Sequence, residues 1–248
     1  SELLLKATPL MLCAIGLAIG FRSNVWNIGA EGQFMLGAAA ATGGALYFDG
    51  SDSSLLLPVM IVAGALGGAA WAAIPALLRT RFNANEILVS LMLVYVAQLF
   101  VSWLVFGPWK DPDGFNFPQT RMFGDAALMP ALLEGTRLHY GFLLAIAVLI
   151  AGHAFMNRSF AGFRMRVAGA APDAARYAGF SAARMIWVGL LLGGAAAGLA
   201  GMAEVAGPMG QLTDKAGSGY GFAAIIVAFV GRLNAFGIFL ASLLMALL

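Results

Sequence analysis

Three carboxylates stand where this sequence is otherwise nearly free of charge: Glu31 in NIGAEGQ, Glu86 in NANEILVS and Glu204 in AGMAEVAG. Each lies in or beside a long apolar run, next to small or amide residues. A carboxylate near the centre of a bilayer costs about 2.5–3.5 kcal/mol on insertion scales, so each needs a partner or water. Gly29 and Gly32 bracket Glu31, which lets the backbone bend and present amides and carbonyls to a cavity, as broken transporter helices do. On that pattern Trp26, Asn27, Glu31 and Gln33 line a protected polar route or brace the protein around one. The alternative is a helix start, with Asn27 as N-cap and Glu31 satisfied by backbone or by a neighbouring helix. For Glu86 the helix-start reading is the stronger. Arg79 and Arg81 precede it, Asn83 or Asn85 supplies a cap, and an acid in the first turn suits the helix dipole. Glu204 falls near the outer end of its run, within reach of the interface.

Other chemistries lack their residues. His139 and His153 are not accompanied by Cys or carboxylates at ligand spacing, so no metal site is assigned. No serine sits in a nucleophile elbow, and no G-x-x-x-x-G-K-[ST] phosphate loop is present, so the chain has no ATP-hydrolysing motif of its own. Cys13 is the single cysteine; it lies in an apolar run and has no partner for an intrachain disulfide. No catalytic residue and no cofactor of this chain is expected.

The elements that must position the three acids are membrane helices. Of 248 residues 61% are hydrophobic and 10% charged, against roughly 25% charged in soluble domains, and the mean hydropathy is +0.86. A formal charge of +2 gives no footing for nucleic acid. A hydrocarbon layer about 30 Å thick needs roughly 20 apolar residues per helix, which predicts spans near 3–21, 28–47, 55–78, 86–106, 140–157, 186–206 and 220–231, with another beginning near 235. Many glycines fall inside these spans, as in LGAAAATGGA and LLGGAAAGLAGMAE, where small residues let helix backbones approach closely.

Charge sets the orientation. Short cytoplasmic loops retain Lys and Arg, and residues 158–186 hold Arg158, Arg164, Arg166, Arg176 and Arg184 against the single acid Asp173. Parity then puts Arg22, Arg79, Arg81 and Arg232 on the same inner side, and the acidic turn DGSDSS and the 107–139 stretch outside. That outer stretch carries Asp111, Asp113, Asp125 and Glu134 and is rich in proline and aromatics. It is expected to be an ordered external cap.

The inner segment is divided by Pro172. PDAARYAGF reads as a short helix, with Pro early, Asp173 in its first turn and Gly179 just past its end. Such a helix between two spans suits docking into a groove of a soluble partner; the competing reading lays it in the lipid interface.

NIGAEGQFMLGA (27–38), NEILVSLMLVYVA (85–97), GFRMRVAGAAPDAARYAGF (162–180), AGLAGMAE (197–204) and GYGFAAIIVAFVGRLNAFG (219–237) resemble the permease subunits of bacterial ABC importers for simple sugars and nucleosides, the branch served by basic-membrane-lipoprotein-type binding proteins. The resemblance covers nearly the whole chain in the family's order. It implies an all-α, polytopic transmembrane bundle of the inner membrane, with an interrupted helix at NIGAEGQ and a cytoplasmic coupling helix at 169–180. Residues 1–248 are expected to form one permease domain, as a fragment lacking an N-terminal helix and the C-terminal helices. The implied partners are an ATP-binding subunit that holds ATP and Mg, a second permease, an extracytoplasmic substrate-binding lipoprotein and membrane lipid, with no nucleic acid. The pathway candidates are Trp26, Asn27, Glu31, Gln33, Asn85, Glu86 and Phe222, and the coupling candidates Arg166, Gly169, Pro172, Asp173, Arg176, Tyr177 and Gly179. Trp26, Phe34, Phe222 and Phe229 are placed either to stack on a base or sugar face or simply to pack. An ion-coupled secondary transporter, using Glu31 or Glu86 as its ion site, is the alternative; a membrane scaffold that moves no solute is a third.

Overall fold

The computed structural model describes residues 1–48, 55–115, 117–132, 135–217 and 219–248, so the expected DGSDSS turn and Glu134 lie outside the described residues. The described elements are helices: α1 (Glu2–Phe21), α2 (Ala30–Tyr47), α3 (Leu56–Phe82), α4 (Glu86–Phe106), α5 (Gly141–Arg158), α6 (Phe160–Ala170), α7 (Pro172–Tyr177), α8 (Ala182–Glu204), α9 (Tyr220–Val230) and α10 (Ala235–Leu247). Pairing of the β type is limited, among the described residues, to isolated bridges of Gln119 with Thr213 and Ala131 with His139.

α1 is apolar on every side and is buried along nearly its whole length, as expected of a helix without a polar face. It forms the centre, with α5, α8, α9 and α10 around it. α2, α3 and α8 pack as a second group. Their backbones nearly touch: a side chain at Gly198 would run into the Gly64 carbonyl, and one at Gly37 into Gly198. In lipid such close packing supplies attraction that apolar burial between helices does not. α4 turns Ser90, Val94, Ala97 and Val101 inward and leaves Met92, Tyr95, Leu99 and Trp103 exposed, an apolar face suited to lipid.

Four spans differ from their expected limits. α3 continues past residue 78 to Phe82, because long arginine side chains at a helix end lie along apolar surface and reach water; Asn83, at φ 50°, stops it. α8 begins at Ala182, where the Ser181 hydroxyl accepts from the Arg184 N–H at 3.4 Å, and runs on through a π-type turn, Val205–Met209, that contains Pro208. Residues 220–231 are not a full span. α9 has 11 residues, which rise only about 16 Å, half of the hydrocarbon thickness. The fourth difference is at α2, which is continuous from Ala30; the irregular backbone expected around Glu31 lies just before it, over 22–29.

Arginines mark one end of the bundle. An Arg22 Nη1–H donates to Asn157 Oδ1 at 3.4 Å, Arg22 and Arg232 flank one cavity, and Arg79 and Arg176 flank another. At the opposite end Arg137 approaches Glu2 at 3.8 Å. Arg22, Arg79, Arg176 and Arg232, which the charge rule assigns to one side, therefore share one end of the packed bundle.

At that opposite end described residues of the 107–139 stretch bond to the chain that follows α8. The Thr120 N–H donates to the Leu212 carbonyl at 3.0 Å, Phe123 to Gly210 at 2.8 Å and Met129 to Ala206 at 2.7 Å. The Leu212 N–H returns a bond to the Thr120 hydroxyl at 3.0 Å. Buried His139 accepts the Gly141 N–H on Nδ1 at 3.1 Å. Burial lowers the His139 pKa from its ordinary value and keeps the ring neutral.

Candidate functional site

Residues 22–29 make a tight elbow between α1 and α2. The N–H groups of Ser23 and Val25 both return to the Gly20 carbonyl, at 2.9 and 3.1 Å. Asn24 takes φ 58°, a left-handed conformation that Asn tolerates, and its Oδ1 accepts the Trp26 indole N–H at 2.9 Å. Trp26 then lies with Phe21 and Phe229, ring centroids 5.1–5.9 Å apart, in an aromatic cluster at the inner end of α9. Trp26 and Phe229 remain partly exposed.

Asn27 and Gln33 pair head to tail. The Asn27 amide donates to Gln33 Oε1 at 2.8 Å, the Gln33 amide donates to Asn27 Oδ1 at 3.1 Å, and the Gly29 N–H joins the same Oδ1 at 3.0 Å. Both side chains are almost fully buried, at 2% and 1% exposure. The Ile28 N–H donates to the Ser90 hydroxyl at 3.3 Å and so fastens the elbow to α4. Glu31, 2% exposed, reaches across to α9, where its two oxygens accept the N–H groups of Gly219 and Gly221 at 2.8 and 2.6 Å. For Glu31 these contacts are those of the helix-start reading, in which the backbone of a neighbouring helix satisfies it; the N-cap of α2, however, is Gly29 and not Asn27.

Asn85 and Glu86 lie elsewhere. Asn85 caps α4, its Oδ1 accepting from Ile87 and Leu88 at 2.9 and 3.5 Å, and Glu86 pairs with Arg79 Nε at 3.2 Å. Asn83 accepts from Arg79 Nη1 at 3.2 Å. Glu86 and Arg79 flank a cleft of about 440 Å³ at the arginine-rich end, whose other wall includes Pro172, Ala175 and Arg176 of α7. The structure thus groups Glu86 with coupling candidates and not with Glu31. Phe222 stands on α9 in an exposed stripe with Ile226, Phe229 and Val230.

The inner segment contains α6, a helix not expected from the sequence, ahead of α7. Ser159 caps it, its hydroxyl accepting from the Gly162 N–H at 2.9 Å. Gly169 seats α6 on the end of α1, so close that a side chain there would meet the Arg22 carbonyl. Pro172 opens α7, and the turn after it closes with the Phe180 N–H on the Ala175 carbonyl at 2.9 Å and with Gly179 at φ 77°. Ala175 is buried beneath the helix, while Pro172, Asp173, Arg176 and Gly179 are exposed and Tyr177 is 98% exposed. Arg166 is exposed on α6. The Arg164 guanidinium lies 4.1 Å from the Phe160 ring centroid and 5.3 Å from that of Phe180, a cation–π contact that joins the two ends of the segment. Sequence reasoning missed this contact, although Phe160 and Arg164 stand four apart, the spacing of neighbours on one helix face. It also missed Ser90, Gly219 and Gly221; the glycine run before α9 was the available signal.

Among the described residues, five helices are long and apolar enough to cross a membrane, and no three His, Cys, Asp or Glu side chains lie close enough to hold a metal ion. No solved structure matches the chain. Residues 1–248 match a family described as the permease component of branched-chain amino acid transport systems. The chain is 40% identical over 258 residues to a glucose ABC transporter permease of Haloferax volcanii, covering all of this chain and 67% of that protein. It is 32% identical to a guanosine ABC transporter permease of Bacillus subtilis, covering 98% of this chain and 70% of that one. It is 28% identical to a nucleoside ABC transporter permease of Lactococcus lactis, covering all of this chain and 70% of the relative. With a helical membrane bundle, a family match over its full length and these relatives, the chain belongs to the ABC-transporter permease family and is a multi-pass membrane protein.

Proposed function

We propose that this permease conducts an uncharged polar solute of the nucleoside or simple-sugar class inward, driven by a separate ATP-binding subunit that holds ATP and Mg and docks on α7. A second permease completes the pathway, and an extracytoplasmic lipoprotein delivers the solute. The observation that carries the reading is the exposure of α7, a capped helix seated at the arginine-rich end of the bundle and backed by α6 on the end of α1. A short rigid helix presenting Asp173, Arg176 and Tyr177 is a handle by which a soluble motor can move the bundle as rigid bodies. The solute class is supported by the names of the relatives, which read glucose, guanosine and nucleoside. It is also supported by the partly exposed rings of Trp26, Phe222 and Phe229, whose faces suit stacking on a base or a sugar. Asn27, Glu31 and Gln33 brace the wall on which those rings are mounted, and Asn85 and Glu86 belong to the inner mouth.

The test is reconstitution with the ATP-binding subunit, the second permease and the binding protein. Solute-stimulated ATP hydrolysis and uptake are expected from the native chain. Arg176→Glu is expected to abolish both while the chain still inserts. Normal uptake by Arg176→Glu, or a Tyr177→Cys label that reports lipid in the full assembly, contradicts the coupling role of α7.

A further inference from the structure

Two helix N-termini meet inside this bundle, and a single carboxylate lies between them. α2 begins at Ala30 and α9 at Tyr220. Gly221 lies against the Ala30–Glu31 backbone so closely that a Cβ would have no room. Each helix start carries partial positive charge and unpaired N–H groups. Neither has a side-chain cap from its own N-cap residue, which is Gly29 for α2 and Gly219, at φ 85°, for α9. Glu31 supplies what α9 lacks, from 188 and 190 residues away, with one oxygen on each of the Gly219 and Gly221 N–H groups.

We infer that Glu31 is the positioning residue that ties α9 to α2, so that the half-length helix moves with the bundle when the pathway opens; this rests on the transport reading above. α2 is itself fixed at this point, through the Asn27–Gln33 pair and through Ser90 on α4. On its other side α9 presents Phe222, Ile226 and Val230 outward and exposed, while Phe229 at its far end stacks on Phe21 and Trp26. A helix of 11 residues has little length over which packing alone can set its angle. The carboxylate also needs both of its bonds. In Glu31→Gln the amide oxygen can accept one N–H, but the amide NH₂ then faces the other, and donor meets donor.

The experiment uses the assembled transporter in lipid nanodiscs. Nitroxide labels are placed at Tyr47→Cys on α2 and Ile226→Cys on α9, both exposed, in a Cys13→Ala background, and the distance distribution is measured by pulsed EPR beside solute turnover per folded complex. With native Glu31 one narrow distribution is expected, kept on nucleotide binding. Glu31→Gln is expected to broaden it and to lower turnover by about tenfold, the factor that one charge-assisted hydrogen bond is worth. A narrow distribution in Glu31→Gln, whatever the turnover, overturns the inference, and so does full turnover with a broadened one. Should Glu31→Gln fail to assemble, Glu31→Asp, which keeps the charge and withdraws the carboxylate from the two N–H groups by one methylene, is judged by the same outcomes. Absence of solute-stimulated ATP hydrolysis in the native assembly would defeat the transport reading alone, since the α2–α9 distances are read without it.

Discussion

If the amide pair braces the elbow, removing one partner should cost stability without changing how solute is handled. Two variants test this: Gln33→Met, which keeps the length of the side chain and removes its polar atoms, and Asn27→Ala. In Gln33→Met the Asn27 Oδ1 keeps the Gly29 N–H at 3.0 Å, and only the Asn27 amide N–H that donated at 2.8 Å is left bare. One buried unsatisfied donor costs about 1–3 kcal/mol. Asn27→Ala strands more: both polar ends of Gln33 and the Gly29 N–H lose their partner. It should therefore be the more damaging by about 2 kcal/mol, since two further buried groups are stranded. The double variant should be milder than Asn27→Ala, because it removes the stranded polar ends of Gln33 and leaves only the Gly29 N–H bare. Interhelical polar pairs in membrane proteins show coupling of about 0.6 kcal/mol on average and about 1.7 at most. This pair, doubly bonded and shut away from water, belongs near the upper figure. The assay is SDS-driven unfolding in mixed micelles followed by circular dichroism, closed as a double-mutant cycle. Coupling below about 0.3 kcal/mol, the level found for residues that do not touch, would refute the pairing. A raised KM for solute in Gln33→Met, with stability unchanged, would instead put the amide in contact with the solute.

Two further changes address the inner and outer ends. Gly169→Val drives a side chain into the Arg22 carbonyl and the Ser23 Cα, so α6 must lift from α1; the assembly should still form, but ATP hydrolysis should lose its stimulation by solute, and retained stimulation would dismiss α6 as the mount of α7. His139 has a pKa lowered by burial from an ordinary 6.5, so the unfolded cap takes up its proton first as pH falls. The stability contributed by neutral His139 is complete above 6.5 and is lost as pH falls from there to the lowered folded value. Proteolysis of residues 107–139 should accelerate over that window in the native chain and stay level in His139→Asn.

Much of the bundle was legible because its signals are local. Apolar length marks α1, α3, α4, α5 and α8, and arginine placement gives their direction, since each signal is read within a few residues of the helix end it describes. The same holds for α7, announced by Pro172 and closed by Gly179, and for α4, whose cap Asn85 is one residue before its start. α6 was not legible: Ala, Arg and Met follow one another there with no clear apolar period, and the helix is held by Gly169 on α1 and by Arg164 between Phe160 and Phe180. The half-length of α9 was hidden for a related reason, since its apolar run passes for a span until the chain before it is seen to start inside the bundle, at Glu31.

The residues themselves determine that this chain lives in a membrane, that its arginines gather at one end and where a short exposed helix is to be found, because hydropathy, charge and caps act over one or two turns. Only the tertiary structure decides what the buried polar groups do. Glu31 carries the same charge whether it faces a solute or a helix, and its partners, Gly219 and Gly221, lie nearly the whole chain away. A hydrogen bond takes its identity from the atom at its other end, and packing alone brings that atom near.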